Sequence, residues 1–556
     1  MTRLSSHLLS RRAFMTQASL AMAGARLAHA RSIGGPYVLP ARARQSTASF
    51  FPDMYSPDAL RTIATAAMDA ARAAGAAYAD IRCSDRRILN VGSSLPEAGP
   101  SPRIDFDVAF HVRARVGGAW ASISGRDCTS DAAVQATRTA TTTAKGSAAV
   151  IRPLWEMVPA PVVTGEWTTP VKIDPFDVTP DEHAGLFMAY VNVGQRLLDS
   201  HVIPHFVWEA ETRVFASTEG SLVTQHLKRA VPIIYLQAET QLDAFRNGVL
   251  FNPWQGLRPC SAGFETIIGP EIQEAVKAEL EDFKRLLRFP LAPLEDVGRF
   301  EAILDGASVG RIVGETLSPS LELRRVLGFD ADGEGTSFLA PPDAILGQPL
   351  FSPQLTLTAD RSMPHYGAAQ WDDEGVATRT VPLITKGVVV DYCSTRATAG
   401  ALASWYAKTK QPLAAQGTAV AWGPTRDPIG CASQLTITPG AAGTTVDTMT
   451  RQITNGVIVR SVVDVQSDPQ LSGGAMWPNM VFEVKRGQIT RRLQGVGVQF
   501  NTKSLWKNLK IVGDDSTTQN ALRTRWLDPW VDKSRLPILA PAVLLSQLDL
   551  IRRSAR

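Results

Sequence analysis

A chain of 556 residues is too long for one hydrophobic core, and 44% hydrophobic with 20% charged residues and no low-complexity tract excludes a disordered protein. The net charge of +4 is matched by Arg3, Arg11, Arg12 and Arg26 in a stretch, residues 1–30, that has no acidic residue, so the remainder is neutral and gives no electrostatic case for a nucleic-acid partner. Five cysteines (Cys83, Cys128, Cys260, Cys393, Cys431), odd in number and without a CxxC, exclude a zinc knuckle or a disulfide-dense scaffold.

In chain order, Ser10-Arg11-Arg12, then Phe14-Met15, the mildly apolar TQASLAMAGA and Ala28-His29-Ala30 predict a twin-arginine export signal cleaved after Ala30. The mature protein is therefore expected in the periplasm, or otherwise exported. No further run of about 18 apolar residues follows, so membrane insertion is not expected. A Pro- and Ser-bearing linker (31–56) leads to PDALRTIATAAMDAARAAGA, an amphipathic helix, and then to two strands, AYADIRCS and RILNVGSS. VAFHVRARVGGAWASIS predicts a hairpin turning at Gly117-Gly118, and Ser130-Asp131 cap a helix to about Lys145.

Thr179-Pro180-Asp181 opens a helix through Leu198, residues 205–240 alternate over three predicted strands, and 270–289 form the longest periodic helix, ended by Pro290. FPLAPLEDVGRF marks a boundary. Beyond it the chain is rich in strands and turns, with turns predicted at Lys386-Gly387, Asn455-Gly456 and Arg486-Gly487. The expected fold class is α+β. An N-terminal α/β domain over 57–292, with parts 57–150 and 151–292, has a mixed sheet and long helices. A C-terminal domain over 293–515 is built of antiparallel sheets, and 516–556 form an extension.

Among eight histidines, His7 and His29 leave with the signal. His201 and His205 have helical metal-ligand spacing, but Pro204 and the alternation after it make a strand there. His111, His183, His226 and His365 stand alone, and there is no HExxH, Gly-x-Ser-x-Gly, phosphate loop or GxGxxG. The acidic run WDDEG (Asp372, Asp373, Glu374) reads either as a solvated turn or as a cation site suited to Mg or Ca. In GRIVGETLSPSLELRRV (310–326), Glu315 and Glu322 would share a helical face, but Pro319 lies between them. The cysteines read as buried thiols, with one or two disulfides as the alternative. Trp526 and Trp530 read as core or interface anchors.

Taken in order, AYADIR, FHVRARVGGAWASIS, FASTEGSLVTQ, SFLAPPDAILGQPLFSPQLTLTAD, WDDEGVATRTVPLITKGVVVDY, ASQLTITPG and VFEVKRGQITRRLQGVGVQFNTKSLWKNLKIVGDD resemble the TldD/PmbA family over about residues 60–515. The family is described as metallopeptidases and, historically, as modulators of DNA gyrase. GETLSPSLE stands where its catalytic members carry H-E-x-x-x-H and a further Glu. The resemblance puts Glu315 at the general-base position and Glu322 at the later acidic one, with Gly314 and Pro319 where the histidines would ligate a zinc-like metal. The family's third ligand, a Cys near the C-terminus, has no counterpart, because Cys431 is the last cysteine.

The resemblance therefore implies no metal cofactor here and an inactive Glu315, a bystander on a surface turn. It further implies a non-catalytic subunit that encloses, with a catalytic TldD-like partner, a chamber for unfolded peptides. Two alternatives stand beside it. One is a relocated carboxylate-rich site drawn from Glu315, Glu322, Asp372, Asp373 and Glu374, with His365. The other is a homodimeric peptide-binding protein of the periplasm.

Overall fold

The computed structural model describes residues 55–552 apart from 93–99, 152–154, 199–200, 238–259, 362–365, 432–433 and 529–531. The predicted signal and nearly all of the linker lie outside the described residues, as do His365, Trp530 and the side chain of Trp526.

The first helix, α1 (Pro57–Ala73), starts where the Ser56 side chain accepts from the Ala59 amide at 3.2 Å and Pro57 takes the first helical position. It buries Leu60, Ile63, Ala64, Ala67, Met68 and Ala71, one stripe at helical spacing. α2 (Ser130–Ala148) is capped by Thr129 rather than by Ser130, because Thr129 is the residue with extended backbone there. Both helices cover one face of a six-stranded sheet: β1 (Tyr78–Gly92), β2 (Ser101–Val116), β3 (Ala119–Gly125), β4 (Thr164–Thr168), β5 (His201–Ser217) and β6 (Leu222–Gln237). Its order is β3-β2-β1-β5-β6-β4, antiparallel except for β4 beside β6. The predicted hairpin and mixed sheet are present. The stretch read as three strands forms two long ones, which pair residue for residue from Ala216 opposite Leu222 to His201 opposite Gln237. α3 (Pro180–Leu198) and α4 (Pro270–Leu287) complete this half.

Alternation sorts the sheet's two faces. Ile81, Cys83, Phe110, Val112, Val214 and Ala216 pack with α1 and α2 in one apolar cluster. Their neighbours Asp80, Arg82, His111, Arg113, Glu211 and Arg213 point the other way, yet each is less than a tenth exposed, because the C-terminal half lies over them.

That half contains β7 (Leu291–Pro293), β8 (Gly298–Leu304), β9 (Leu357–Asp360), β10 (Thr380–Thr385), β11 (Val388–Val389), β12 (Ala419–Ala421), β13 (Pro428–Gly430) and β14 (Leu435–Ile437). It continues with β15 (Asn455–Ser467), β16 (Gly473–Lys485), β17 (Gln488–Gln494), β18 (Val496–Asn501), β19 (Leu509–Val512), β20 (Gln519–Asp528), β21 (Asp532–Ala540) and β22 (Val543–Arg552). β15, β8, β22, β18 and β16 close into a ring through the β15–β16 pairing, with β17, β7 and β19 attached. A second sheet runs β11-β10-β9-β14-β21-β20, and β12 pairs β13 alone.

Three sequence expectations are corrected here. The sheets are not purely antiparallel: β8 and β15, β7 and β17, and β14 and β21 are parallel, each pair joined through a long connection. Residues 516–552 are no extension, since β22 pairs with both β8 and β18 inside the ring and buries Val543, Leu544, Leu545, Leu548 and Leu550. Asn455-Gly456 begins β15 instead of turning. A Cβ on Gly456 would lie 2.3 Å from Glu301 O, so this glycine serves close strand approach. Lys386-Gly387 and Arg486-Gly487 do turn, both residues of each pair having positive φ. Among the described residues no helix is long and apolar enough to cross a membrane.

Candidate functional site

The segment with the two glutamates folds as three short pieces. α5 (Gly306–Glu315) is capped by Asp305, whose carboxylate accepts from Ser308 N at 2.9 Å. It packs against β15, β20 and β21, and its glycines permit this: a Cβ on Gly306 would meet Ala540 O at 2.2 Å. Thr316, at φ −127 and ψ −74, breaks the helix. α6 (Leu317–Ser320) then holds Pro319 within its first turn, where the missing N–H has no helical partner to lose, and α7 (Leu323–Val326) follows Glu322.

The break separates the glutamates that an unbroken helix would have aligned. Glu315 ends α5, half-buried, with Arg311 one turn back at 3.4 Å; it is neither on a turn nor isolated. Glu322 is 1% exposed, and the Cys431 thiol donates to its Oε1 at 3.7 Å. Leu323 N donates to Cys393 O and Cys393 N to Leu321 O, both at 2.9 Å, pinning this strand-like crossing. Burial pushes the Cys393 thiol well up, and all five cysteines are free.

A catalytic zinc needs about three protein ligands and one open position. Gly314 and Pro319 carry no donor, Glu315 faces an arginine, and Glu322 lies against thiols in the core. Among the described residues no three His, Cys, Asp or Glu side chains converge as a metal site. The residues present do not fit the metal that the family's catalytic members hold.

The acidic run is not a solvated turn: Asp372, Asp373 and Glu374 are all within 3% of complete burial. Asp372 accepts from the amides of Glu374, Val376 and Ala419 at 2.9, 2.9 and 3.0 Å. Asp373 receives Arg213 and the Ala421 amide, and Glu374 receives Arg113 Nη1 at 3.1 Å and the Arg396 amide at 2.7 Å. Burial and the Glu374 charge push Asp372 up to about 7. Burial pushes Asp373 the same way, but Arg213, Arg82 and Arg361 more than offset it and hold its carboxyl below the usual range. Backbone amides thus hold Asp372, and an arginine side chain together with an amide holds each of Asp373 and Glu374.

Among the described histidines, the rings of His111 and His226 are each held by side-chain partners. His111 Nδ1 meets Ser124 Oγ and Nε2 meets Asp427 Oδ1, both at 2.8 Å, and burial holds the ring below its ordinary pKa despite Asp427. His226 contacts Glu166 at 3.0 Å, and His205 lies in β5, as the strand reading required.

Beside α7 lies a cleft of about 560 Å³. One wall is β3, the terminal strand of its sheet, whose outer row of amides and carbonyls has no strand partner among the described residues. The opposite wall brings Arg324, Phe329, Thr395 and Pro428. Trp155 closes one end, donating Nε1–H to Ala397 O at 2.5 Å and meeting Phe329 edge-on at 6.3 Å, while Phe329 remains 53% exposed. Arg113 lies 5.2 Å over Trp120, and His111 and Arg113 hold the rim carboxyl of Asp427 down to about 2 against its burial. None of Trp120, Trp155 and Phe329 had a sequence signal as a site residue. The charged sheet face left only a pattern, polar and charged residues of both signs at alternate positions in AYADIRCS, FHVRARV and VWEAETR.

Comparison with known proteins places this architecture. Residues 297–552 match the PmbA/TldA metallopeptidase C-terminal domain. A metalloprotease from Methanothermobacter thermautotrophicus is 25% identical over 306 residues, 54% of this chain and 60% of that protein. A metalloprotease from Methanocaldococcus jannaschii is 26% identical over 231 residues, 41% of this chain and 46% of that protein, so the matches span only about half of these relatives. TldE from Thermococcus kodakarensis shares the fold at 14% identity with a TM-score of 0.64, covering 88% of this chain and 99% of its own. A candidate modulator of a DNA gyrase from Thermotoga maritima does so at 13% and 0.65, with the same coverage. Residues 297–552 therefore form a C-terminal domain of the TldD/PmbA type, and the chain has the fold of these solved structures.

Proposed function

We propose that this chain is the metal-free, non-catalytic subunit of an exported peptide-processing complex, paired with a catalytic TldD-like chain. The observation that carries the proposal is the filling of the motif: Gly314 and Pro319 flank Glu315, and Arg311 occupies its carboxylate. Without a metal, a water near Glu315 keeps a pKa close to its bulk value, so no activated nucleophile forms. The chain's contribution is a wall that accepts extended peptides. β3 offers an unpaired strand edge, and Trp155 and Phe329 offer apolar anchors, so main-chain pairing gives affinity with little sequence preference.

The test is metal analysis of the chain purified without chelator, alone and with its captured partner. The expected result is no stoichiometric transition metal on the chain alone and metal in the complex; a stoichiometric metal on the isolated chain overturns the proposal. For the peptide wall, Trp155→Ala and Phe329→Ala should each weaken binding of an unfolded peptide by roughly tenfold, as a central aromatic anchor does. Unchanged affinity in both variants removes the cleft from the binding surface.

A further inference from the structure

The charged face of the N-terminal sheet encloses a second, smaller cavity, of about 90 Å³, where it meets the C-terminal half. Its lining holds five guanidinium groups, Arg82, Arg86, Arg213, Arg229 and Arg361, against the three carboxylates Glu209, Glu211 and Asp373. Most of these charges are matched. Arg213 pairs with Glu211 at 2.8 Å and with Asp373, Arg229 with Glu211 at 3.1 Å and Glu209 at 3.4 Å, and Arg86 reaches Asp107 at 3.3 Å.

Arg82 and Arg361 differ. Arg82 is 2% exposed; its Nη2 donates to the carbonyls of Gly423, Pro424 and Arg426, and its Nη1 has no hydrogen-bond partner. Arg361 is 5% exposed and donates to the carbonyls of Gly367 and Ala419 at 3.2 and 3.0 Å. Both guanidinium groups are therefore buried on carbonyl dipoles, which compensate a full charge only in part. Burial lowers the pKa of each, with Asp373 the leading opposing charge in both cases.

From this geometry we infer that the cavity is a binding site for a small inorganic oxyanion of phosphate or sulfate type. An unpartnered guanidinium N–H in a buried, arginine-rich cavity is a donor awaiting an acceptor, and charge-assisted bonds of this kind are the strong ones. The volume is several times the roughly 10–15 Å³ that one water needs and well below the roughly 300 Å³ at which organic-ligand pockets begin, so it admits a small ion and excludes a nucleotide or peptide. Arg82 and Arg229 come from the sheet and Arg361 from the segment after β9, so the anion cross-links the two halves of the molecule.

The test uses the whole chain, first dialysed into a buffer without oxyanions. Titration with inorganic phosphate or sulfate in a calorimeter, at ionic strength fixed with chloride, should show saturable uptake of one ion per chain. Tm should rise with the same saturation. Arg82→Gln and Arg361→Gln should each weaken uptake at least tenfold, whereas Arg299→Gln, on an exposed strand end, should leave it unchanged. Absence of saturable uptake by the unaltered protein overturns the assignment without reference to any variant. Equal binding of acetate overturns the choice of a tetrahedral ion, and phosphate uptake that survives both Arg82→Gln and Arg361→Gln places the ion elsewhere.

Discussion

Arg396 grips Glu219 with both terminal nitrogens, at 2.8 and 2.9 Å, and so ties the C-terminal half to the turn between β5 and β6. The same side chain donates Nε–H to Val158 O at 3.0 Å and lies 5.0 Å over the Tyr78 ring, while its own amide holds Glu374. Because Arg396 is 3% exposed, Arg396→Met should lower unfolding stability toward the low end of the roughly 3–5 kcal/mol lost when one partner of a buried pair is removed. Glu219 is 36% exposed, so Glu219→Gln should cost under about 1 kcal/mol. Urea denaturation of both variants checks the asymmetry; equal losses would contradict it.

The two glutamates of the broken helix should separate in the same kind of experiment. Glu315 sits in a half-exposed i,i+4 pair, so Glu315→Gln should change stability by no more than about 0.5 kcal/mol. It should also leave peptide turnover by a reconstituted complex unaltered. Glu322 is enclosed with Cys431, and Glu322→Ala should cost about 2–4 kcal/mol by leaving a cavity and unmatched polar neighbours. A loss of turnover in Glu315→Gln without loss of stability would restore a catalytic role to that residue.

Gly375 closes the acidic turn at φ +73, and a Cβ there would lie 2.4 Å from Phe215 Cε1 on β5. Gly375→Ala therefore combines left-handed strain with a clash against a buried ring and should cost about 2–4 kcal/mol. Thermal unfolding measures this. A neutral result would mean that Phe215 can move aside despite its burial.

His183 gives the molecule a pH dependence whose sign follows from its surroundings. The ring is 1% exposed, meets Phe264 edge-on at 4.9 Å and donates Nε2–H to Pro175 O at 2.9 Å. Burial lowers its pKa from 6.5 to about 4. Between those values the unfolded chain binds a proton that the folded chain refuses, so stability falls as pH drops from about 6.5 toward 4. The loss is on the order of 3 kcal/mol, since each tenfold difference in proton affinity between the two states is worth about 1.4 kcal/mol. His183→Gln should be the less stable protein at pH 7 and should lose less on acidification. Parallel slopes for the two proteins between pH 7 and pH 5 would contradict this account.

Local chemistry is what the sequence decides. Gly117-Gly118 must turn a hairpin, the alternation of FHVRARV must give a two-faced strand, and Gly314 and Pro319 can offer no side-chain donor, whatever surrounds them. Which partner covers a surface is decided elsewhere. Nothing in the sequence marks Asp80, Arg82, Arg113 and Arg213 as buried, and WDDEG reads as a solvated turn or a cation site, because a charged side chain carries no local mark of being buried. Only the docking of the C-terminal half brings Asp373 to Arg213 and Glu374 to Arg113 across more than a hundred residues of chain, turning two polar surfaces into one matched interior. The same holds for the last strand. Its apolar run is plain in the sequence, but its seat between β8 and β18 exists only once the ring has closed around it, since strand pairing depends on neighbours that arrive from distant parts of the chain.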